Sequence, residues 1–302
     1  MLTVSEVTEI FYLCDEFSKE FEFSVKKHLM ESDNTKKRRN RPNRMSESEV
    51  MTILIAFHLS GMRNLKCFYL FYVCKHMNGE FPHPVSYNRF IELQQHVALP
   101  LVLFLKTCRM GKCTGISFID STALKVCHIK REHSNRVFDG TATKGCGTLG
   151  YFFGFKLHII INDRGEIINF VITQGHVDDR KPLSMESFIR NVSGKLYADR
   201  GYISQELASI LFVDGIHFVA KMRNNMKGGE LPLFDRVMLR KRALIESVND
   251  ELKNICQIEH TRHRCFTNFI TNLTAGLLAY SFLPKKPSIR VDVLDEKQLV
   301  LF

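Results

Sequence analysis

The sequence predicts an α/β fold: a mixed five-stranded sheet flanked by helices and preceded by an all-α N-terminal part. Three observations predict it. Apolar residues recur at helical spacing through the first 110 residues, between tight turns. From residue 115 the period changes to short apolar runs and one long alternating run, as in strands. Strand-like and helix-like stretches then alternate, the pattern that builds parallel neighbours in a sheet.

Composition bounds the rest. The chain has 302 residues, 45% hydrophobic and including 24 Phe, enough for a substantial core in one large or two ordinary domains. Its 42 Lys and Arg against 32 Asp and Glu give a formal charge of +10, which points to a polyanionic partner, nucleic acid first. The nine cysteines are odd in number and scattered. The N-terminus MLTVSEVTEIFYLCDEF is acidic where a signal peptide would be basic and then apolar, so the thiols are read as reduced and the protein as cytoplasmic. Cys265 to Leu283 carries no charge and approaches the length of a membrane span. Thr267, Asn268, Thr271, Asn272 and Thr274 interrupt it, so it is read as a buried packing helix, and no membrane is expected as a partner.

Two domains are expected, 1–110 and 111–302, the second including the C-terminal packing helix. In the first, Ile10, Leu13, Cys14, Phe17 and Phe21 mark a helix over 4–29. The run DNTKKRRNRPNR follows, a basic linker over 33–45 whose Lys36, Lys37, Arg38, Arg39 and Arg41 are candidates for contact with DNA. Ser46 and Glu49 stand in capping-box order ahead of a helix that Gly61 stops, and a further helix covers 64–77. Ser86 sits at the N-cap of YNRFIELQQHV, with Arg89 in the first turn as a DNA candidate. Short helices joined by tight turns fit a helix-turn-helix type of module, though they also occur in folds that never meet DNA.

In the second part, GISFIDS reads as a strand running into an acid. YFFGFKLHIII places Phe153, Phe155, Leu157, Ile159 and Ile161 on one face of a strand, NDRG turns, and EIINFVITQG returns antiparallel. A helix over 181–193 leads to KLYADRGY, another strand ending in an acid; a helix over 204–213 leads to the strand IHFVAKM. A last amphipathic helix runs through RKRALIESVNDELKN. There Arg242, Glu246, Asn249 and Lys253 share one face, while Ala243, Ile245, Val248, Leu252 and Ile255 form the apolar one.

The chemistry is expected beyond the carboxyl ends of the strands. Asp120 and Asp199 each close a predicted strand there, and on neighbouring strands their charges would repel. Hard Mg²⁺, which takes oxygen ligands, resolves such repulsion. Glu246 completes the set, with Arg242 and Lys253 beside it to hold DNA phosphates. An Arg242/Glu246 surface salt bridge is the plain alternative for that helix, and turn or loop-capping roles are the plain alternatives for the two aspartates.

These blocks resemble those of a known family. "FIDST", "YADRGY" and "RALIESVNDELK" look like the motifs of the DDE transposases of bacterial insertion sequences, whose catalytic core is ribonuclease H-like, and the resemblance runs over nearly the whole chain. Arg242, Glu246 and Lys253 match that family's Tyr, Arg, Glu and Lys pattern, while its Tyr position is Leu239 here. About 17 residues separate Met222 from Arg240, too few for the large β insertion of some relatives. The resemblance implies cleavage of double-stranded DNA at element terminal inverted repeats and joining of 3′-hydroxyl ends to target DNA. It implies two Mg²⁺ ions, with Mn²⁺ as substitute, held by Asp120, Asp199 and Glu246, and a homo-oligomer on DNA. A nuclease of the same core that never joins, and an inactive DNA-binding relic, are the alternatives.

Other signals are weaker. Asp178 and Asp179 in GHVDDRKP are read as acids at a helix N-terminus, ranked below Asp199 as ligands, and His176 beside them is a candidate for substrate contact or for structure. The glycine-punctuated stretch 125–150 is a DNA-contacting loop or a solvated connection. Cys127, His128, His133 and Cys146 lack zinc spacing, and His260, Arg262, His263 and Arg264 are phosphate contacts or ordinary surface charge.

Overall fold

The computed structural model describes residues 2–31, 43–147, 150–221, 231–259 and 263–289. Lys36, Lys37, Arg38, Arg39, Arg41, His260 and Arg262 lie outside the described residues.

Two compact units emerge, and neither follows chain order. Of the described residues, those within 1–109, 124–142 and 250–283 form the first, and those within 110–123, 143–249 and 284–289 the second.

In the first unit, α1 (Val4–Glu31) and α2 (Glu47–Leu59) pack together. Ser46 starts α2 as its spacing predicts: its hydroxyl accepts from the Glu49 N–H at 3.1 Å, and the Glu49 carboxylate accepts from the Ser46 N–H at 2.6 Å. α3 (Leu65–Cys67) continues as a π-helical stretch to His76. Ser86 caps α4 (Tyr87–His96), and α5 (Ala98–Phe104) follows. The C-terminal helix α10 (Phe266–Phe282) belongs here, against α2, α4 and α5, and not with the rest of 111–302. Its sequence explains the choice: Asn268, Thr271, Asn272 and Thr274 are buried along with Leu273, Leu277 and Leu278, so the helix needs neighbours on every side. Among the described residues, no helix is long and apolar enough to cross a membrane.

The second unit is the mixed α/β part. Among the described residues its sheet has six strands, one more than expected: β1 (Ile116–Cys127), β2 (Thr143–Gly147), β3 (Gly150–Asn162), β4 (Ile167–Gln174), β5 (Gly194–Ala198) and β6 (Ile216–Ala220). The order is β2-β3-β1-β5-β6, with β4 also on β3. The hairpin pairs β3 with β4 antiparallel, and β1, β5 and β6 run parallel, so the sheet is mixed as predicted. The extra strand β2 lies in the stretch read as a loop; its TKGCG carries no apolar alternation that would have marked it, and backbone pairing to β3 alone makes it a strand.

Three further expectations are corrected by the same kind of physics. β3 buries both faces, not one, as a strand flanked by strands and covered by core residues does. The helix expected over 181–193 is two short pieces, a 3-10 turn at Lys181–Ser184 and α6 (Glu186–Ile189). The helix through residue 240 breaks at Arg242, between α8 (Leu233–Lys241) and α9 (Ala243–Asn254). On α9, Ile245, Val248 and Leu252 are buried as expected, while Ala243 and Ile255 are exposed.

α7 (Gln205–Val213) starts at Ser204, whose hydroxyl accepts from the Leu207 N–H. Leu207 and Leu211 on α7 meet Leu196, Ala198, Ile216, Ile119 and Ile160 from the sheet, and this apolar cluster fixes β1, β5 and β6 relative to one another.

Candidate active site

Register places the first two acids. β1 and β5 are parallel, with Phe118 opposite Tyr197 and their rings stacked 5.6 Å apart. Asp120 and Asp199 each lie two residues further along, so side-chain alternation carries both to one face of adjacent strands. Asp199 immediately follows the last residue of β5, as expected. Asp120 does not close its strand, since β1 continues to Cys127. The sequence hid this: after the acid, STALKVC is only half apolar and reads as the start of a loop.

The third acid arrives on α9. Glu246 lies in its first turn and Arg242 in the break before it, one helical turn away. Arg242 is the centre of the arrangement. One terminal nitrogen of its guanidinium donates to Glu246 Oε1 at 2.7 Å and lies 3.9 Å from Asp199 Oδ1, while the other lies 3.8 Å from Asp120 Oδ1. The structure thus brings Asp120, Asp199, Glu246 and Arg242 together. The acids converge on the arginine and not on one another, and among the described residues no three acid, His or Cys side chains gather tightly enough to hold an ion as they stand.

Burial and charge act on Asp120 in opposite senses. Burial, the largest influence, pushes its carboxyl up to about 6 from the usual carboxylate range; the Glu246 and Asp199 charges push the same way, and the Arg242 guanidinium and the Ser121 N–H oppose them. Asn249, one turn beyond Glu246 on α9, donates from its side-chain amide to Asp120 Oδ2 at 3.0 Å. Sequence placed Asn249 on the charged face without a role; its spacing of three from Glu246 and seven from Arg242 was the available signal.

The remaining predicted residues have partners of their own. Lys253 is on the continuation of α9 within the first unit, its ammonium 3.4 Å from Glu259. Arg89, also in the first unit, binds Glu92 at 2.7 Å and the Asn43 side-chain oxygen at 3.0 Å. Asp178 pairs with Arg180 at 2.7 Å and Asp179 with Lys156 at 2.9 Å, so both have cations of their own. His176 meets the Thr143 hydroxyl through Nδ1 at 2.9 Å.

Comparison with known proteins gives this arrangement its context. No curated protein matches the chain. A family model described as "Transposase DDE domain" matches residues 110–266, just over half of the chain and all of Asp120, Asp199, Arg242 and Glu246. The chain belongs to that family: it is a DNA-cleaving transposase by class, and DNA is its partner.

Proposed function

We propose that this protein cleaves double-stranded DNA at the terminal inverted repeats of an insertion sequence and joins the freed 3′-hydroxyl ends to target DNA by two-metal-ion phosphoryl transfer. Asp120, Asp199 and Glu246 are the ligands and catalytic acids in this reading. The single observation that carries it is the meeting of three carboxylates, from two neighbouring strands and a helix, on one guanidinium.

The residues suit a hard divalent cation. Every donor is a carboxylate oxygen, and three acids against one arginine leave negative charge uncompensated around a half-buried Asp120. Bound there, divalent ions would supply an activated water or 3′-hydroxyl and a neutralised leaving oxygen. The chain's own residues do the positioning. Asn249 holds Asp120 by its second oxygen, and the Phe118–Tyr197 pairing fixes the separation of the two strand acids. Arg242, released from the acids, takes a phosphate oxygen of the substrate. Lys253, Arg89 and the basic run with Lys36, Lys37, Arg38, Arg39 and Arg41 provide sequence-independent grip on the backbone. Two copies work on paired element ends, in the cytoplasm, where the DNA lies.

The test uses a duplex bearing the element's own terminal repeat, incubated with Mg²⁺, Mn²⁺ or chelator. Nicking and joined product with either metal, abolished by Asp120→Asn, Asp199→Asn or Glu246→Gln, is the expected result. Fragments without joined product from pre-cleaved ends would reduce the protein to a nuclease; no metal-dependent cleavage would leave only a DNA-binding relic.

A further inference from the structure

Arg242 is held in an unusual way for an arginine among acids. Its side chain is 15% exposed, yet it makes one hydrogen bond to the group, to Glu246, and its separations from Asp120 and Asp199 are too long for hydrogen bonds. The nitrogen nearest Asp120 is buried with no hydrogen-bond partner. A guanidinium seated for permanent structural service would make paired, short contacts to a carboxylate. This one instead hydrogen-bonds Glu246 alone and lies within 4 Å of two further carboxylates that it does not bond.

We infer that Arg242 is the internal counter-cation of the metal-free site, occupying the space between Asp120, Asp199 and Glu246, and that a divalent cation can be held there only when this guanidinium turns out. The inference rests on the proposed role of the acids as metal ligands. Its physical basis is local charge. Carboxylates gathered around a half-buried Asp120 repel one another unless a cation stands among them, and Arg242 lies within 4 Å of all three. The same positive charge repels an incoming divalent ion and blocks the approach of the acids to a common centre. Its surroundings favour exchange: Glu246 and Asp199 are 59% and 52% exposed, so the outward path is open. A phosphate of bound nucleic acid would stabilise the outward position. Metal loading and DNA loading are thereby coupled through one side chain, each favouring the other.

The experiment is Mn²⁺ binding by the full-length protein without DNA, read from the free-ion electron paramagnetic resonance signal, for wild type, Arg242→Gln, Arg242→Lys and Asp120→Asn. Arg242→Gln should bind Mn²⁺ at least about tenfold more tightly than wild type, since a charge within 4 Å of each ligand is removed. Arg242→Lys keeps the charge and should stay within about threefold of wild type. Should Arg242→Gln fail to fold, wild type titrated with Mn²⁺ in the presence of a 30-base-pair duplex replaces it, and tightening by a similar factor over the summed separate binding is expected. Equal or weaker Mn²⁺ binding by Arg242→Gln, or no tightening by duplex, overturns the counter-cation role. If Asp120→Asn binds Mn²⁺ as wild type does, the ligand assignment itself falls, which is a separate outcome.

Discussion

The side-chain amide of Asn249 holds Asp120 from a helix 129 residues later in the chain, donating to Oδ2 at 3.0 Å. With Arg242 on the other carboxylate oxygen, Asp120 is oriented from both sides by the segment that also carries Glu246. If Asp120 is the metal ligand proposed above, orientation by such a partner is worth about 10- to 100-fold in activity or metal affinity. Asn249→Ala should therefore lower cleavage by about that factor, while Asn249→Asp, which sets a like charge against Asp120, should lower it further. Circular dichroism melts should show the Ala variant folded; an unchanged cleavage rate in Asn249→Ala would remove the positioning role.

Acid should weaken the fold through buried histidines. His58 in the first unit and His158 in the second are almost wholly buried, and burial pushes each down to about 4. An unfolded histidine titrates near 6.5, so between about 6.5 and 4 the unfolded chain binds protons that the folded chain refuses. Stability is then fully present above about pH 6.5 and is lost as pH falls toward 4, by up to roughly 3 kcal/mol for each histidine. Urea midpoints at pH 7.5 and pH 5 check this. Equal midpoints would mean that neither ring is as sheltered as its burial indicates.

The start of α2 offers a smaller, cleaner measurement. Ser46→Ala removes the hydroxyl that accepts from the Glu49 N–H and should cost about 1 kcal/mol. Adding Glu49→Ala should cost less than two independent losses, because the two side chains serve one reciprocal cap. Thermal denaturation of the single and double variants reads the difference.

Gly194 opens β5 with φ +78°, and a Cβ there would stand 2.4 Å from the Gly115 carbonyl oxygen of the chain leading into β1. Both the dihedral and the space exclude a side chain. Gly194→Ala should destabilise the second unit by at least about 2 kcal/mol and disturb the β1–β5 pairing that carries both aspartates. Loss of cleavage should accompany the lowered melting temperature; a variant with wild-type stability would show that the two glycines separate at little cost.

Much of this was legible from local pattern. Ser46 and Ser86 announced two helix starts, and the β3–β4 hairpin announced itself by two apolar runs around NDRG. The two aspartates stood out by their place after apolar runs, and Glu246 by its place on the charged face of its helix. What escaped was set by distant partners. β2 exists because β3 offers it a backbone edge, the full length of β1 shows only in three dimensions, and α10 joins the N-terminal helices although it follows the α/β part in sequence. The break at Arg242 also left no mark, since RKRAL has good helix formers throughout. At the site, residue types and order could be read, but not that an arginine would stand where the acids meet.

The stacked pair Phe118 and Tyr197 makes the distance between two acids a matter of counting. One residue, Ile119 or Ala198, stands between each ring and its aspartate. Adding or deleting a single residue in either gap would swing one carboxylate to the opposite side of the sheet while leaving hydrophobicity, charge and length almost as they were. Parity, in addition to the close packing of Ile119 and Ala198 in the core, is what these two short stretches of strand must keep.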